Sequence, residues 1–348
     1  MFKKLYALFS NDIGIDLGTA NTLVYLRGHG IVINEPSVVA LNTKTGRIVA
    51  VGMEAKNMLG RTPGHIKAVR PIVDGVISDY EVTEEMLAYL IGKAEKISKK
   101  FFRPRVVVGV PSGITNVETR AVYDAAKSAG AREVHIIEEP MASAIGIRMP
   151  VKEPVGSLIV DIGGGTTDIA VISLGGIVRS KNLKIAGDKL NNDIMTYLRD
   201  EFKLLIGEKT AENVKIAIGT VQEGAPMEAE VRGRDLVTGL PREVIVTDGD
   251  VREAIGSSIA GLIDGIREVL ETTPPEILAD VMQRGIVLSG GGALLQGLSE
   301  LLHTILKLPI YVAEDPLSAV ARGAGIVLED IEYYKEVLIN TGDELPLR

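Results

Sequence analysis

Two stretches of this sequence set an aspartate at the end of an apolar run, just before a turn of small residues. They are Asp16-Leu17-Gly18-Thr19-Ala20-Asn21-Thr22 and Asp161-Ile162-Gly163-Gly164-Gly165-Thr166-Thr167-Asp168. Glycine lets backbone come close to a ligand and adopt angles that other residues avoid, so such a turn can aim N–H groups at a phosphate. The aspartate then stands where a phosphate-bound Mg²⁺ needs an acidic partner. A glycine-rich hairpin alone is usually only a hairpin, and the repetition is what gives the pattern weight. Two further pieces complete the set. Glu138-Glu139-Pro140 ends an apolar run and opens a helix, so Glu139 either complements the helix dipole or holds the water that attacks a γ-phosphate. Ser289-Gly290-Gly291-Gly292-Ala293 is a third glycine turn, which is either a tight turn alone or a surface for a flat base.

The elements needed to position these residues are legible as a duplication. Strand, turn, strand, turn, strand is expected through Asp16 and again through Asp161, the second turns being Gly28-His29-Gly30 and Leu174-Gly175-Gly176. Each copy is followed by a small insertion and then by strands alternating with helices, which implies mixed sheets with helices packed on them. Strands are expected at Arg105–Val110, Glu133–Ile137, Arg284–Leu288 and Ile310–Val312. Expected helices include Thr83–Lys100 capped at Thr83, Val117–Gly130, Met141–Ile147, Lys189–Leu204, one capped at Thr210, Val251–Leu270, Leu294–Leu306 and Leu317–Leu328, followed by a polar tail. The fold class expected is α/β, two duplicated domains with a ligand in the cleft between them.

At 348 residues and 46% apolar composition the chain is long enough for two cores. A net charge of −8 disfavours nucleic-acid phosphates as partners. The absence of cysteine excludes disulfide and thiolate chemistry and suits a reducing cytoplasm. No apolar run approaches the ~20 residues that span a bilayer, and no secretion signal is visible, so a cytoplasmic location is expected. Of five phenylalanines, Phe2, Phe9, Phe101 and Phe102 fall outside the expected cores, beside lysines and Arg103. With Leu5 they fit a surface that dips into a membrane while cations meet anionic headgroups, or else a protein contact patch.

Together these blocks resemble the nucleotide signature of the actin, heat-shock chaperone and sugar kinase superfamily. Asn11 to Thr22, Asn34-Glu35-Pro36-Ser37, Leu59 to Gly64, Asp74-Gly75-Val76-Ile77 and Thr273-Pro274-Pro275-Glu276 are similar to the MreB/Mbl family of bacterial actins within it. The resemblance implies an actin-like ATPase fold. Its main domains would comprise 1–33 with 75–149 and 320–348, and 150–185 with 249–319, carrying small insertions at 34–74 and 186–248. It implies ATP and Mg²⁺ as ligands. Gly18, Thr19, Ala20, Asn21, Gly163, Gly164, Gly165 and Thr166 would hold phosphates. Asp16 and Asp161 would reach the metal, through water, and Glu139 would orient the attacking water. Gly187, Asp188, Glu212, Asn213, Val214 and Lys215 would lie along the nucleoside, and Gly290, Gly291, Gly292 and Ala293 would back the base. The family forms double filaments on the inner face of the cytoplasmic membrane, with the cell-wall elongation machinery as partner, and so sets rod shape. Asp168 stands where MreB more often has Glu, a feature resembling Mbl, while Asn191-Asn192 replace an acidic pair and Asn213 and Ala217 replace Arg and Glu of the usual family pattern. A sugar kinase or a chaperone-type ATPase is the alternative on the same fold. The first is expected to have a substrate pocket and usually a longer chain, the second a further domain.

Overall fold

The structure is a computed structural model and describes residues 12–98 and 102–339. Phe2, Leu5, Phe9 and Phe101 lie outside the described residues; Phe102 is exposed.

The first half opens with β1 (Ile13–Leu17), β2 (Asn21–Leu26) and β3 (Gly30–Pro36), an antiparallel meander. A small sheet follows, of β4 (Val39–Asn42), β5 (Ile48–Val51) and β6 (Ile66–Val69), with α1 (Met53–Met58) between the last two. The hairpin of β7 (Ile72–Val73) and β8 (Val76–Ile77) leads to α2 (Tyr80–Ser98). Then come β9 (Arg105–Val110), α3 (Asn116–Ser128), β10 (Glu133–Glu138) and α4 (Glu139–Gly146).

The second half repeats the plan with β11 (Ser157–Ile162), β12 (Thr167–Ser173) and β13 (Gly176–Leu183). Its insertion consists of α5 (Gly187–Asp200), β14 (Leu204–Leu205), α6 (Glu208–Ile218), β15 (Glu228–Asp235) and β16 (Pro241–Thr247). There follow α7 (Asp248–Thr272), α8 (Pro275–Arg284), β17 (Ile286–Ser289), α9 (Leu298–Leu306), β18 (Ile310–Val312), α10 (Ala319–Glu329) and β19 (Leu338–Ile339).

The two large sheets have matching orders, 19-10-9-1-2-3 and 13-12-11-17-18. In each, the central strand pairs antiparallel with the next in sequence and parallel with a later one. Asp16 and Asp161 occupy the same place in each copy, one residue before the end of β1 and β11. The carboxyl ends of parallel strands are where open α/β sheets bind ligands, so both acids open into the space between the halves. There the halves meet through an apolar cluster, in which Val107 and Ile137 of one sheet and Ile159, Ala170 and Ile172 of the other sandwich α4 and α10. The two helices cross very closely. A Cβ on Gly323 would lie 1.7 Å from the Ala142 carbonyl oxygen, and one on Gly146 would lie 2.0 Å from that of Ala319.

Several boundaries differ from the sequence reading. α2 starts before Thr83 because Asp79 supplies the cap: its carboxylate accepts from Val82 N at 3.2 Å, while the Thr83 hydroxyl donates back to the Asp79 carbonyl. α3 stops at Ser128, with Ala129 as its C-cap and Gly130 beyond. α5 begins at Gly187 and ends at Asp200, four residues short of the expected Leu204. α6 is capped by Gly207, leaving Thr210 inside the helix, and α7 starts earlier, from a capping box between Thr247 and Asp250. Arg284 belongs to the unforeseen α8 and not to a strand. The third glycine turn enters a single 3₁₀ turn, Gly291–Leu294, and α9 begins only at Leu298, after Gly297 in the left-handed region. The polar tail contributes β19, which pairs with β10.

Candidate functional site

Between the halves lies a cleft of about 570 Å³. Its floor is made by the two phosphate-type turns, which touch. A Cβ on Gly164 would meet Ala20 Cβ at 2.5 Å, and one on Gly165 would meet Thr19 Oγ1 at 2.5 Å. Only glycine at 164 and 165 allows loops from opposite halves to close on one another. The Thr19 hydroxyl accepts from Gly75 N at 3.0 Å, which fastens the first loop to the β7–β8 turn. The second loop is braced by α5, whose Gly187 and Asp188 amides donate to the carbonyls of Gly163 at 3.1 Å and Gly164 at 2.8 Å. Gly187 and Asp188 therefore line the cleft, while their N–H groups support the loop.

Four carboxylates converge behind the loops. Asp161 Oδ2 accepts from Ser289 Oγ, which accepts from Ser143 Oγ, both at 2.8 Å. Ser143 sits on α4 and Ser289 ends β17, so this relay crosses from one half to the other. Asp168 also bridges the halves: its Oδ1 accepts from Ser112 N at 2.8 Å, and the Asn182 amide donates to both oxygens at 3.1 Å. Glu139 is the first residue of α4, so the predicted Met141 start falls two residues late.

Burial dominates the electrostatics. It pushes Asp16, with help from the Asp161 charge, up to about 8. It takes Asp168 to about 7 against the pull of Asn182 and Ser112 N. Asp161 is raised by burial despite its serine partners. Glu139 lies well above the ordinary carboxyl range through burial and the nearby Asp168, Asp16 and Asp161. Each acid holds its proton to higher pH in the folded chain than in the unfolded one. The stability these acids contribute is therefore full below the ordinary carboxyl range and is lost as pH rises through the raised values, about 7 for Asp168 and about 8 for Asp16. Thermal melts should give a midpoint lower at pH 8.5 than at pH 5.5, on the order of 5 °C, and Asp16→Asn should narrow the gap. A midpoint that is flat or rises with pH would contradict this.

Among the described residues no three His, Asp or Glu side chains form a ready-made metal cage. Two close carboxylates that resist joint ionisation fit a hard cation reached through water and carried by phosphate oxygens. Asp16 and Asp161 are the residues that would hold it.

Of the expected nucleoside residues, Glu212 and Lys215 line the cleft. Lys215 Nζ donates to the Gly187 carbonyl at 2.8 Å, and burial lowers its affinity for the proton. Asn213 is exposed on another face of α6, Val214 is buried in the second half's core, and Ala293 is buried beneath its turn; none of the three lines the cleft. Gly290, Gly291 and Gly292 do line it, with Gly290 at φ +76° and tight against Ile162 O and Asp161 Oδ1. Above them stand three exposed apolar side chains that sequence reasoning missed, Ile216, Leu294 and Leu317. The available signal was Ile216, an isoleucine on the polar side of a helix beside Lys215. Phosphate-type loops, converging acids and an apolar slot suit a nucleoside polyphosphate.

Comparisons with known proteins agree. The family profile described as MreB/Mbl protein matches residues 10–336. The cell shape-determining protein Mbl of Bacillus cereus is 50% identical over 326 residues, covering 93% of this chain and 98% of the relative. The crystal structure of MreB 5 of Spiroplasma citri bound to AMPPNP matches with a TM-score of 0.88 at 39% identity, covering 94% of this chain and 98% of that one. The MamK double helical filament matches with a TM-score of 0.78 at 25% identity, covering 92% and 99%.

Proposed function

The chain belongs to the MreB/Mbl family, and from that premise we propose that it is the subunit of an ATP-dependent actin-like filament. The filament lies on the inner face of the cytoplasmic membrane, organises cell-wall elongation and determines rod shape. Family membership sets aside the sugar kinase and chaperone-type alternatives. The observation that carries the reading is the contact of Gly164 with Ala20 and of Gly165 with Thr19. Because these loops belong to different halves, one triphosphate engages both, and its presence biases the angle between them. A subunit whose shape depends on its nucleotide is what a filament with timed assembly requires.

In this mechanism Thr19, Ala20 and Asn21 face Gly163, Gly164 and Gly165 across the phosphates. Glu212 and Lys215 lie along the ribose, and the base rests against Gly290 to Gly292 and Leu294. A bound magnesium ion would neutralise phosphate charge, with Asp16 and Asp161 holding it through water. Glu139 orients a water toward the γ-phosphate and accepts its proton, and hydrolysis is slow. The domain division we propose pairs 1–33, 75–149 and 320–348 against 150–185 and 249–319, with insertions 34–74 and 186–248 at the cleft mouth. Phe102, with Phe101 and the amphipathic residues Phe2, Leu5 and Phe9, makes the membrane contact. Among the described residues no helix is long and apolar enough to cross a membrane.

The test is sedimentation with Mg-ATP and anionic liposomes. The full-length protein should pellet with lipid as filaments, seen by electron microscopy. Deletion of residues 1–9 together with Phe101→Ser and Phe102→Ser should abolish lipid pelleting while leaving ATP binding. Persistent monomers under these conditions would overturn the filament reading.

A further inference from the structure

Two sets of polar contacts span the mouth of the cleft, and their cations belong to none of the phosphate loops. Lys56 on α1, carried by the first half, places Nζ 2.8 Å from Glu212 Oε2 on α6 of the second. Arg70, one residue beyond β6, is forked: Nη1 lies 3.0 Å from Asp188 Oδ2 on α5, and Nη2 bonds Glu208 at the start of α6. Lys209 Nζ adds a bond to Asn57 Oδ1 at 3.3 Å. Asp188 and Glu212 line the cleft themselves, so both cations grip its far wall from across the opening.

The two ends of the cleft are built differently. At the base the halves share one apolar cluster and a helix crossing with no room for a methyl group. At the mouth the apolar cluster of the small sheet (Val38, Ala40, Ala50 and Ala55) is separate from the second half's core. Close packing resists separation, whereas ion pairs that keep 22–30% of their side-chain surface in water, as Lys56, Glu212, Arg70 and Asp188 do, can open and are weakened by salt. Opening the mouth breaks these contacts, and the exposed Lys184–Asp74 pair that also joins the halves, before it disturbs the packed base.

We infer that Lys56 and Arg70 form a polar clasp across the cleft mouth that controls how fast nucleotide enters and leaves. The inference rests on the nucleotide reading above and adds a gate to it. Neither cation is needed to hold phosphate, so loosening the clasp changes exchange more than hydrolysis.

The experiment is the release of radiolabelled ADP from the full-length protein, chased with excess unlabelled ADP below the concentration at which the protein sediments. Lys56→Glu and Arg70→Glu should each speed release roughly three- to tenfold. Adding Glu208→Arg to Arg70→Glu restores a pair of opposite charges and should slow release again, recovering at least about half of the logarithmic change. Raising salt from about 0.05 to 0.5 M should speed release from the unaltered protein and change it little in the charge-neutral Lys56→Gln, Arg70→Gln double variant. Melting midpoints verify that each variant is folded. Release rates within about 1.5-fold of the unaltered protein in both single variants, or a charge-swapped pair no slower than Arg70→Glu alone, would overturn the clasp. Failure of the unaltered protein to retain labelled ADP would overturn the nucleotide reading, and the clasp with it.

Discussion

Replacing Glu139 by Gln is expected to cut ATP turnover by about two to three orders of magnitude, the usual worth of a positioned general base, while ATP affinity stays within about threefold. Glu139 starts α4 where β10 ends, beside Gly109, where a Cβ would come within 3.5 Å of its Cγ. Gln preserves that volume and removes only the ability to take a proton. Burial and the nearby Asp168, Asp16 and Asp161 all raise the Glu139 carboxyl, so the neutral Gln adds no repulsion in the cleft and affinity holds. Phosphate release and equilibrium binding of labelled ATP measure the two quantities. Turnover within about threefold of the unaltered enzyme would assign the water to another group, with Asp168 next in line.

The second large effect is on folding. Gly323→Ala should destabilise the protein by about 3 kcal/mol or more, or leave it insoluble, because the new Cβ falls 1.7 Å from a backbone oxygen of α4 that has nowhere to move. Gly92→Ala is the control. It lies within α2 with no atom near its added Cβ, and helix propensity alone should make it neutral or stabilising by up to about 1 kcal/mol. Chemical denaturation of both variants decides the matter, and a Gly323→Ala midpoint matching the unaltered protein would refute the tight crossing.

The fold was legible where glycine turns interrupt apolar runs, since strand endings need little context: the turns between β1, β2 and β3 and between β11, β12 and β13 fall within a residue or two of their expected places. Helix starts were less so. Thr83 and Thr210 are good capping residues, yet Asp79 and Gly207 hold those positions, and a hydroxyl inside the first turn looks the same in sequence. α8 was concealed by Pro274-Pro275, which reads as a stop although Pro275 is the first residue of a new helix. The convergence of both glycine turns, Asp16, Asp161 and Glu139 on one cleft was readable because each forms a compact local pattern. Val214 and Ala293 were misplaced because alternate faces of α6 and of the 3₁₀ turn point into the core. Lys56 and Arg70 could not be found from sequence, since their partners lie more than a hundred residues away and any lysine or arginine on a small insertion looks like solvated surface.

The order of strands also bears on biosynthesis. The second large sheet is drawn wholly from residues 157–312, but the first takes β19 from Leu338–Ile339 and is covered by α10 from Ala319–Glu329. During translation the later half can therefore complete its core first, while β1, β9 and β10 wait for partners that emerge from the ribosome last. Until then the edge of β10 is unpaired and the apolar faces that α10 will cover remain open. The nascent chain thus spends the interval after residue 146 with its earliest sheet unfinished, which is when a holdase chaperone would be of most use to it.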